Sequence, residues 1–185
     1  MTKRCGWVKM NNPLYVTYHD EEWGKPLRGN ERALFELLCL ETYQAGLSWE
    51  TVLNKRAAFK EAFHNYEIKK VAQMTDEELD AILQNPAVVR NRLKIYATRT
   101  NAQAFLSIQE TNGSFETYIW SFVDGKPLVN QVQDYKDAPA KTILSETISK
   151  DLKKQGFKFV GPVCVYSFLQ AAGLINDHEV DCEFR

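Results

Sequence analysis

The 185-residue sequence carries almost no net charge, with 23 Lys and Arg set against 24 Asp and Glu. That balance excludes a global basic field that would gather nucleic acid by bulk attraction, so any such partner must be met by local patches. Long hydrophobic runs are missing too. Nothing approaches the length of a membrane span, and Met1 to Arg4 lead into Cys5 and Gly6 without the apolar stretch of a secretory signal. A soluble, cytoplasmic protein with no membrane partner is the expectation, in a compartment where thiols stay reduced. The absence of internal repeats and low-complexity segments excludes solenoid and linker-like architectures. Strand signals are scarce, since the stretch from Pro13 to Tyr18 is the only alternating candidate. Histidine, with 3 copies, and cysteine, with 4, are scarce as well, which makes their positions informative.

Apolar residues make up 44% of the chain, with Trp 4, Tyr 8 and Phe 10, enough to build one domain or two small lobes sharing one body. Their spacing is helical almost throughout. Leu34, Leu37 and Leu38 mark one stripe, Val52, Phe59 and Phe63 another, and Leu79, Ile82 and Leu83 a third, opened by the capping box Thr75 to Glu78. Leu93, Tyr96, Ala102, Phe105 and Leu106 continue the pattern after Pro86, and Tyr118, Ile119 and Phe122 close a short helix before a turn at Asp124 to Pro127. From Gly125 to about Pro139 the chain is polar without a period, which reads as one long loop. The fold class expected is all-α.

Cys5 and His19 lie near one end of the chain and His178 and Cys182 near the other, the second pair spaced His-x3-Cys. Together they are a complete ligand set for one tetrahedral zinc. Four such donors leave no position for water, so the ion would be structural rather than hydrolytic and would staple the terminal segments. The alternative is four unrelated residues, because free Cys is a common small core hydrophobe and a lone His is usually surface or satisfied core. Cys39 and Cys164, flanked by Leu and Val, fit that second description.

Two further features stand out from the helical background. Helical steps from Leu34, Leu37 and Leu38 land on Glu41, so its carboxylate points where the apolar face points; it is either bonded to a helix end or a buried Tyr or Trp, or it belongs to a pocket. Gln44 to Trp49 follows, where Ala45-Gly46 breaks the helix, Ser48 caps the next and Leu47 sits at an exposed turn, either as a plain surface residue or as a DNA wedge. Tyr15, Tyr18, Trp23 and Trp49 are core aromatics or the walls of a pocket for a planar, cationic ligand. The second feature is the pair of stripes Leu144, Ile148, Leu152 and Val165, Phe168, Leu169, Ala172, separated by Gly156 to Pro162. This reads as a tight hairpin between two helices, ringed by Lys150, Lys153, Lys154 and Lys158, and is either a solvated helical hairpin or a sequence-independent grip on a DNA backbone.

Several blocks are unusual enough to carry a resemblance. Arg4-Cys5-Gly6-Trp7, Tyr18-His19-Asp20 with Trp23-Gly24, Leu40-Glu41, Gln44 to Trp49, Trp120-Ser121-Phe122, Gly156 to Pro162 and Asn176-Asp177-His178 are together similar to the DNA-3-methyladenine glycosylase I family, nearly end to end. The resemblance implies a two-lobed glycosylase of the helix-hairpin-helix superfamily, with a central lobe at about 30–123 and a terminal lobe from about 1–29 and 140–185 holding the hairpin 156–162. It implies hydrolytic excision of 3-methyladenine from alkylated double-stranded DNA, by a monomer with one structural zinc and no catalytic metal. By position Cys5, His19, His178 and Cys182 match the zinc ligands, Glu41 the pocket acid, Tyr18 and Trp49 the stacking aromatics, Tyr15 and Trp23 the surrounding wall, and Leu47 the side chain that enters DNA. Gly46, Lys158, Val160 and Gly161 fall at the DNA contacts. In this reading ionised Glu41 accepts from the adenine amino group while water attacks the sugar carbon, and Asp177 supports His178 by a hydrogen bond. One departure is Thr42-Tyr43 after Glu41, where smaller or more polar residues are expected; Tyr43 either reshapes the pocket floor or faces the core. A non-catalytic lesion binder and a zinc hydrolase are the competing function classes, the latter at odds with a closed ligand set.

Overall fold

The computed structural model describes all 185 residues and consists mainly of nine α-helices. They are α1 (Pro13–Glu21), α2 (Glu31–Tyr43), α3 (Trp49–Ala62), α4 (Ile68–Ala72), α5 (Asp76–Leu83), α6 (Arg92–Asn112), α7 (Phe115–Ser121), α8 (Ile143–Lys154) and α9 (Pro162–Ala171). Local chemistry sets most of their starts. Asn12, Asn30, Ser48, Asn91 and Ser114 each accept a backbone N–H in the first turn, Thr75 and Thr142 form reciprocal capping boxes, and Pro162 opens α9 after Gly161. No helix is long and apolar enough to cross a membrane.

The organising element is α2. Every residue from Leu34 to Tyr43 is buried, because α3, α6, α7 and α9 pack around it. A helix sunk on all sides must dispose of its polar groups. Glu36 is paired: Arg56 donates to it at 3.0 and 3.3 Å and also binds Glu22 at 2.8 and 3.0 Å, tying α1, α2 and α3 together. The carboxyl of Glu41, 5% exposed, makes no hydrogen bond or ion pair within the chain. Lys94 of α6 reaches under the end of α2 and donates to the carbonyls of Tyr43 and Ala45 at 2.7 and 2.5 Å, a cation placed at the negative end of a helix.

Some expectations change on folding. The alternating stretch from Pro13 to Tyr18 lies in α1, where Pro13 occupies the first helical position. The polar stretch after Gly125 is not a free loop: β1 (Leu128–Val129) pairs in parallel with β2 (Ile175–Asn176), and Val132 bridges Glu179 in the same register. Two-residue strands carry too little periodicity to be read locally. Leu93 does not join the apolar stripe and is 72% exposed, because the first turn of α6 turns Lys94 and Ile95 inward and Leu93 to solvent. Tyr43 faces the core, stacked on Phe59 with ring centroids 4.3 Å apart, and its hydroxyl bonds those of Tyr66 and Thr98 at 3.2 and 3.0 Å. Tyr43→Phe removes one hydroxyl from this chain and should destabilise the protein by about 1–2 kcal/mol in chemical denaturation, with catalytic rate unchanged. A rate loss at full stability would place Tyr43 in the pocket after all.

Candidate active site and metal centre

Glu41 opens onto a cavity of about 340 Å³, within the range of roughly 300–1,000 Å³ usual for small-ligand sites. Tyr15, Tyr18, Trp23 and Trp49 all line it, with Trp7 completing the aromatic wall and Gln44 beside the acid. Tyr18 and Trp49 form one corner, ring centroids 5.2 Å apart and tilted by 51°, and Trp7 meets Trp23 edge-on at 4.8 Å. The remaining lining mixes apolar residues, Ala138 to Ala140 and Val163, with the polar groups of Tyr135, Tyr166, Ser167, Gln170 and Asp177. An aromatic box with an unpaired carboxyl group, Glu41, beside the hydrogen-bonded Asp177 suits a planar, positively charged ligand.

Burial governs the chemistry of that carboxyl. Without a donor or a cation nearby, desolvation alone raises the pKa of Glu41 to about 8, so the carboxyl is mostly protonated at neutral pH unless a cationic partner draws the proton off. The neighbouring Tyr18 hydroxyl is pushed well above its ordinary value, by burial first and by the Glu41 charge second.

Directly behind the aromatic wall, Cys5, His19, His178 and Cys182 converge, their ligand atoms all within 4.8 Å of one another. The closest approaches are Cys182 Sγ to His178 Nδ1 at 3.4 Å, Cys5 Sγ to His178 Nδ1 at 3.5 Å and Cys182 Sγ to His19 Nε2 at 3.6 Å. Sulfur and nitrogen bound to one tetrahedral zinc at about 2.3 and 2.0 Å would stand roughly 3.5 Å apart, so the spacing fits a metal ion. Burial lowers the pKa of His178 to about 4 and raises that of Cys5 to about 12, so the imidazole is neutral and ready to ligate while the thiol needs a cation to ionise. Both rings are aimed from behind. His19 Nδ1 donates to Asp20 at 2.7 Å, Arg4 holds that carboxylate with bonds of 2.8 to 3.0 Å, and His178 Nε2 donates to the Trp23 carbonyl at 2.8 Å. A Cβ at Gly24 would stand 2.7 Å from the His178 ring, so only glycine allows this carbonyl contact.

Asp177 does not support His178. It lines the cavity, 2% exposed, and accepts from Asn130 at 2.7 Å, Gln170 at 2.8 Å and the Tyr166 hydroxyl. Sequence adjacency to a ligand was misleading here, because β2 ends at Asn176 and the next two side chains diverge. The orienting acid is Asp20, whose position beside His19 was the available signal.

The remaining sequence candidates lie on the rim. Gly46 has φ +77°, the left-handed turn that a helix break requires, and the Gly46 to Ser48 turn leaves Leu47 half-buried between α2 and α3. In the hairpin, Lys158 is exposed and Phe157 and Val160 are buried, so Val160 offers its backbone and not its side chain to a partner. Asn101 of α6, fully buried, clamps the Lys158 backbone at both its N–H and its carbonyl, at 2.7 and 3.1 Å, and Ser149 donates to the Val160 carbonyl at 2.6 Å. The amides of Phe159, Val160 and Gly161 are left without an acceptor in the chain. Neither Asn101 nor Ser149 carries a local sequence signal, since both are polar residues inside helices.

A family model described as methyladenine glycosylase matches residues 7–185. Among curated proteins, the DNA-3-methyladenine glycosylase of Haemophilus influenzae is 48% identical over 98% of this chain and 97% of its own. DNA-3-methyladenine glycosylase 1 of Escherichia coli is 46% identical over 97% and 95%. Among solved structures, that of 3-methyladenine DNA glycosylase I from Staphylococcus aureus, determined for 3-methyladenine recognition, superposes with a TM-score of 0.94 at 44% identity, covering 98% of this chain and 95% of that one.

The raised pKa of Glu41 makes stability depend on pH. Unfolded, the group loses its proton near 4.5; folded, it keeps it to about 8, so the native state binds the extra proton between those values and stability falls as pH rises through that window. Relative to Glu41→Gln, the wild-type protein should lose on the order of a few kcal/mol of unfolding free energy from pH 5 to pH 8 and change little above it. Parallel denaturation curves for the two proteins across this range would show that the carboxyl is solvated.

Proposed function

We infer that this chain, which belongs to the methyladenine glycosylase family, excises 3-methyladenine from alkylated duplex DNA by hydrolysing its N-glycosidic bond, initiating base excision repair. The observation that carries this reading is the unpaired buried carboxyl of Glu41 inside an aromatic box. Methylation at N3 makes the nucleobase a cation and weakens its bond to the sugar, so moderate transition-state stabilisation suffices and selection can occur at the pocket.

The nucleotide is flipped out of the stack, at a cost of a few kcal/mol that is lower for a damaged base. Tyr18 and Trp49 present their ring faces to the cation, with Tyr15 and Trp23 behind them. Glu41 accepts from the amino group of the base. The charge of the base favours the ionised acid, so binding draws Glu41 below its free value of about 8 and releases a proton at neutral pH. Neutral adenine brings no such charge and leaves the acid protonated. Water then bonds to the sugar C1′ as the C1′–N9 bond breaks; the bonding pair departs with the base, which leaves neutral, and the proton of the water passes to solvent.

Leu47, carried on the turn at Gly46, enters the DNA near the lesion. The hairpin 156–162 holds the backbone through the amides of Val160 and Gly161 and the charge of Lys158, without reading sequence. We assign these contacts to a monomeric cytoplasmic enzyme of two lobes, about 30–123 and about 1–29 with 140–185, the pocket lying between them. Zinc suits the Cys2His2 donors of Cys5, His19, His178 and Cys182, and when bound it supplies stability rather than a reacting group. Asp20 and the Trp23 carbonyl orient the two imidazoles for it.

Purified protein given methylated duplex DNA should release free 3-methyladenine, detected by chromatography, and Glu41→Gln should slow release by about 10²-fold. Tight binding of alkylated DNA with no base released would leave a lesion-binding protein instead of an enzyme. Metal removal, or Cys5→Ala, should lower the melting temperature by about 10 °C. A melting curve unchanged in metal-free protein would refute the staple.

A further inference from the structure

The pocket has an outer wall whose placement the residues discussed so far do not explain. Tyr135 and Ala138 to Ala140 line the cavity from the segment after β1, while Trp7 lines it from a turn more than a hundred residues earlier. One buried carboxylate joins the two. Glu179, 6% exposed, accepts from the backbone N–H of Tyr135 at 2.8 Å through Oε1 and from that of Gly6 at 3.0 Å through Oε2. Both oxygens are committed to chain segments that continue into the pocket wall.

The register of the parallel pair brings Glu179 there. Leu128 is opposite Ile175, Val129 opposite Asn176 and Val132 opposite Glu179, and the N–H of Val180 donates to the Val132 carbonyl at 2.8 Å. The pairing stops at that point, and Glu179 takes over as the next attachment of the departing chain. Packing reinforces the junction: a Cβ on Gly6 would meet the Tyr135 ring at 3.1 Å, so ring and turn are in contact where the carboxylate binds them. Two backbone donors on one carboxylate form a charge-assisted clamp, and without it the Tyr135 to Ala140 segment keeps only its distal attachments.

We propose that Glu179 is a positioning residue that fixes the outer wall of the base pocket, clamping the Trp7 turn to the Tyr135–Ala140 segment and thereby setting affinity for the excised base. It touches no reacting atom. The proposal rests on the reading of the cavity as a 3-methyladenine site, and its effect belongs to binding: a displaced wall weakens ground-state and transition-state complexes alike, raising KM with kcat retained.

The test measures binding of free 3-methyladenine by calorimetry, steady-state excision and melting temperature for metal-loaded wild type, Glu179→Gln, Glu179→Ala and Gly6→Ala. Gln retains one acceptor and loses the second, and Gly6→Ala disturbs the wall while leaving Glu179 and the four Cys and His side chains in place. The expected order of base affinity is wild type, then Glu179→Gln and Gly6→Ala, then Glu179→Ala, with the last about 10-fold or more weaker, KM for alkylated DNA raised in parallel and kcat within about 2-fold. If the variants bind the base as the wild type does, even with lowered melting temperatures, Glu179 is a structural residue and the proposal is overturned. Should Glu179→Ala fail to fold, Glu179→Gln and Gly6→Ala decide alone. Absence of base binding by the wild type would overturn the functional reading, and this inference with it.

Discussion

An acid buried without a partner sets the terms for the rest of this molecule. Helix α2 is enclosed on every side, and its two buried glutamates meet opposite treatments: Glu36 is neutralised by Arg56, whereas Glu41 is left with aromatic rings and space. A fold optimised for stability alone would pair or replace Glu41, since desolvating a carboxyl group costs several kcal/mol when ionised. Retaining it unpaired stores a preference for a cationic partner. The aromatic wall and the turn at Gly46 are arranged around that one residue.

The Cys and His cluster is more than a fastening at the edge. His178 bonds the carbonyl of Trp23, and the rings of His19 and His178 stack on or abut Trp7 and Trp23, with centroid separations between 4.7 and 6.3 Å. The cluster is therefore the back surface of the cavity. Its orienting groups, Asp20 with Arg4 on one side and Gly24 on the other, are also residues of the α1 region that supplies Tyr15, Tyr18 and Trp23.

What was legible in the sequence follows the range of the interactions. Helix starts obey rules spanning three or four residues, and the caps at Ser48 and Thr75 are visible to inspection. Glu41 stood out because a charge on an apolar stripe violates a local pattern, and the terminal Cys and His because both types are rare in this chain. The groups that orient them were less legible. Asn101 grips a hairpin 57 positions away, and Glu179 binds Tyr135 and Gly6 across 44 and 173 positions, so no local periodicity marks them. Asp177 shows the opposite error: proximity in sequence to His178 suggested a bond that the divergence of successive side chains does not permit. The polar stretch after Gly125 belongs with the long-range cases, because its partner strand lies at Ile175.

The walls of the cavity come from Trp7, Glu41, Trp49, Tyr135 and Asp177, nearly the full span of the chain. During synthesis, α2 through α7 can collapse on one another while the ribosome is still making the rest, since their contacts are comparatively local. The cavity cannot close then. Tyr166, Ser167, Gln170 and Asp177 of its lining, and two of the four residues behind its aromatic wall, arrive only with the last stretch from Tyr166 to Cys182. A nascent or truncated chain can thus begin to assemble its central helices and still lack the finished cavity, so the site appears late and nearly all at once.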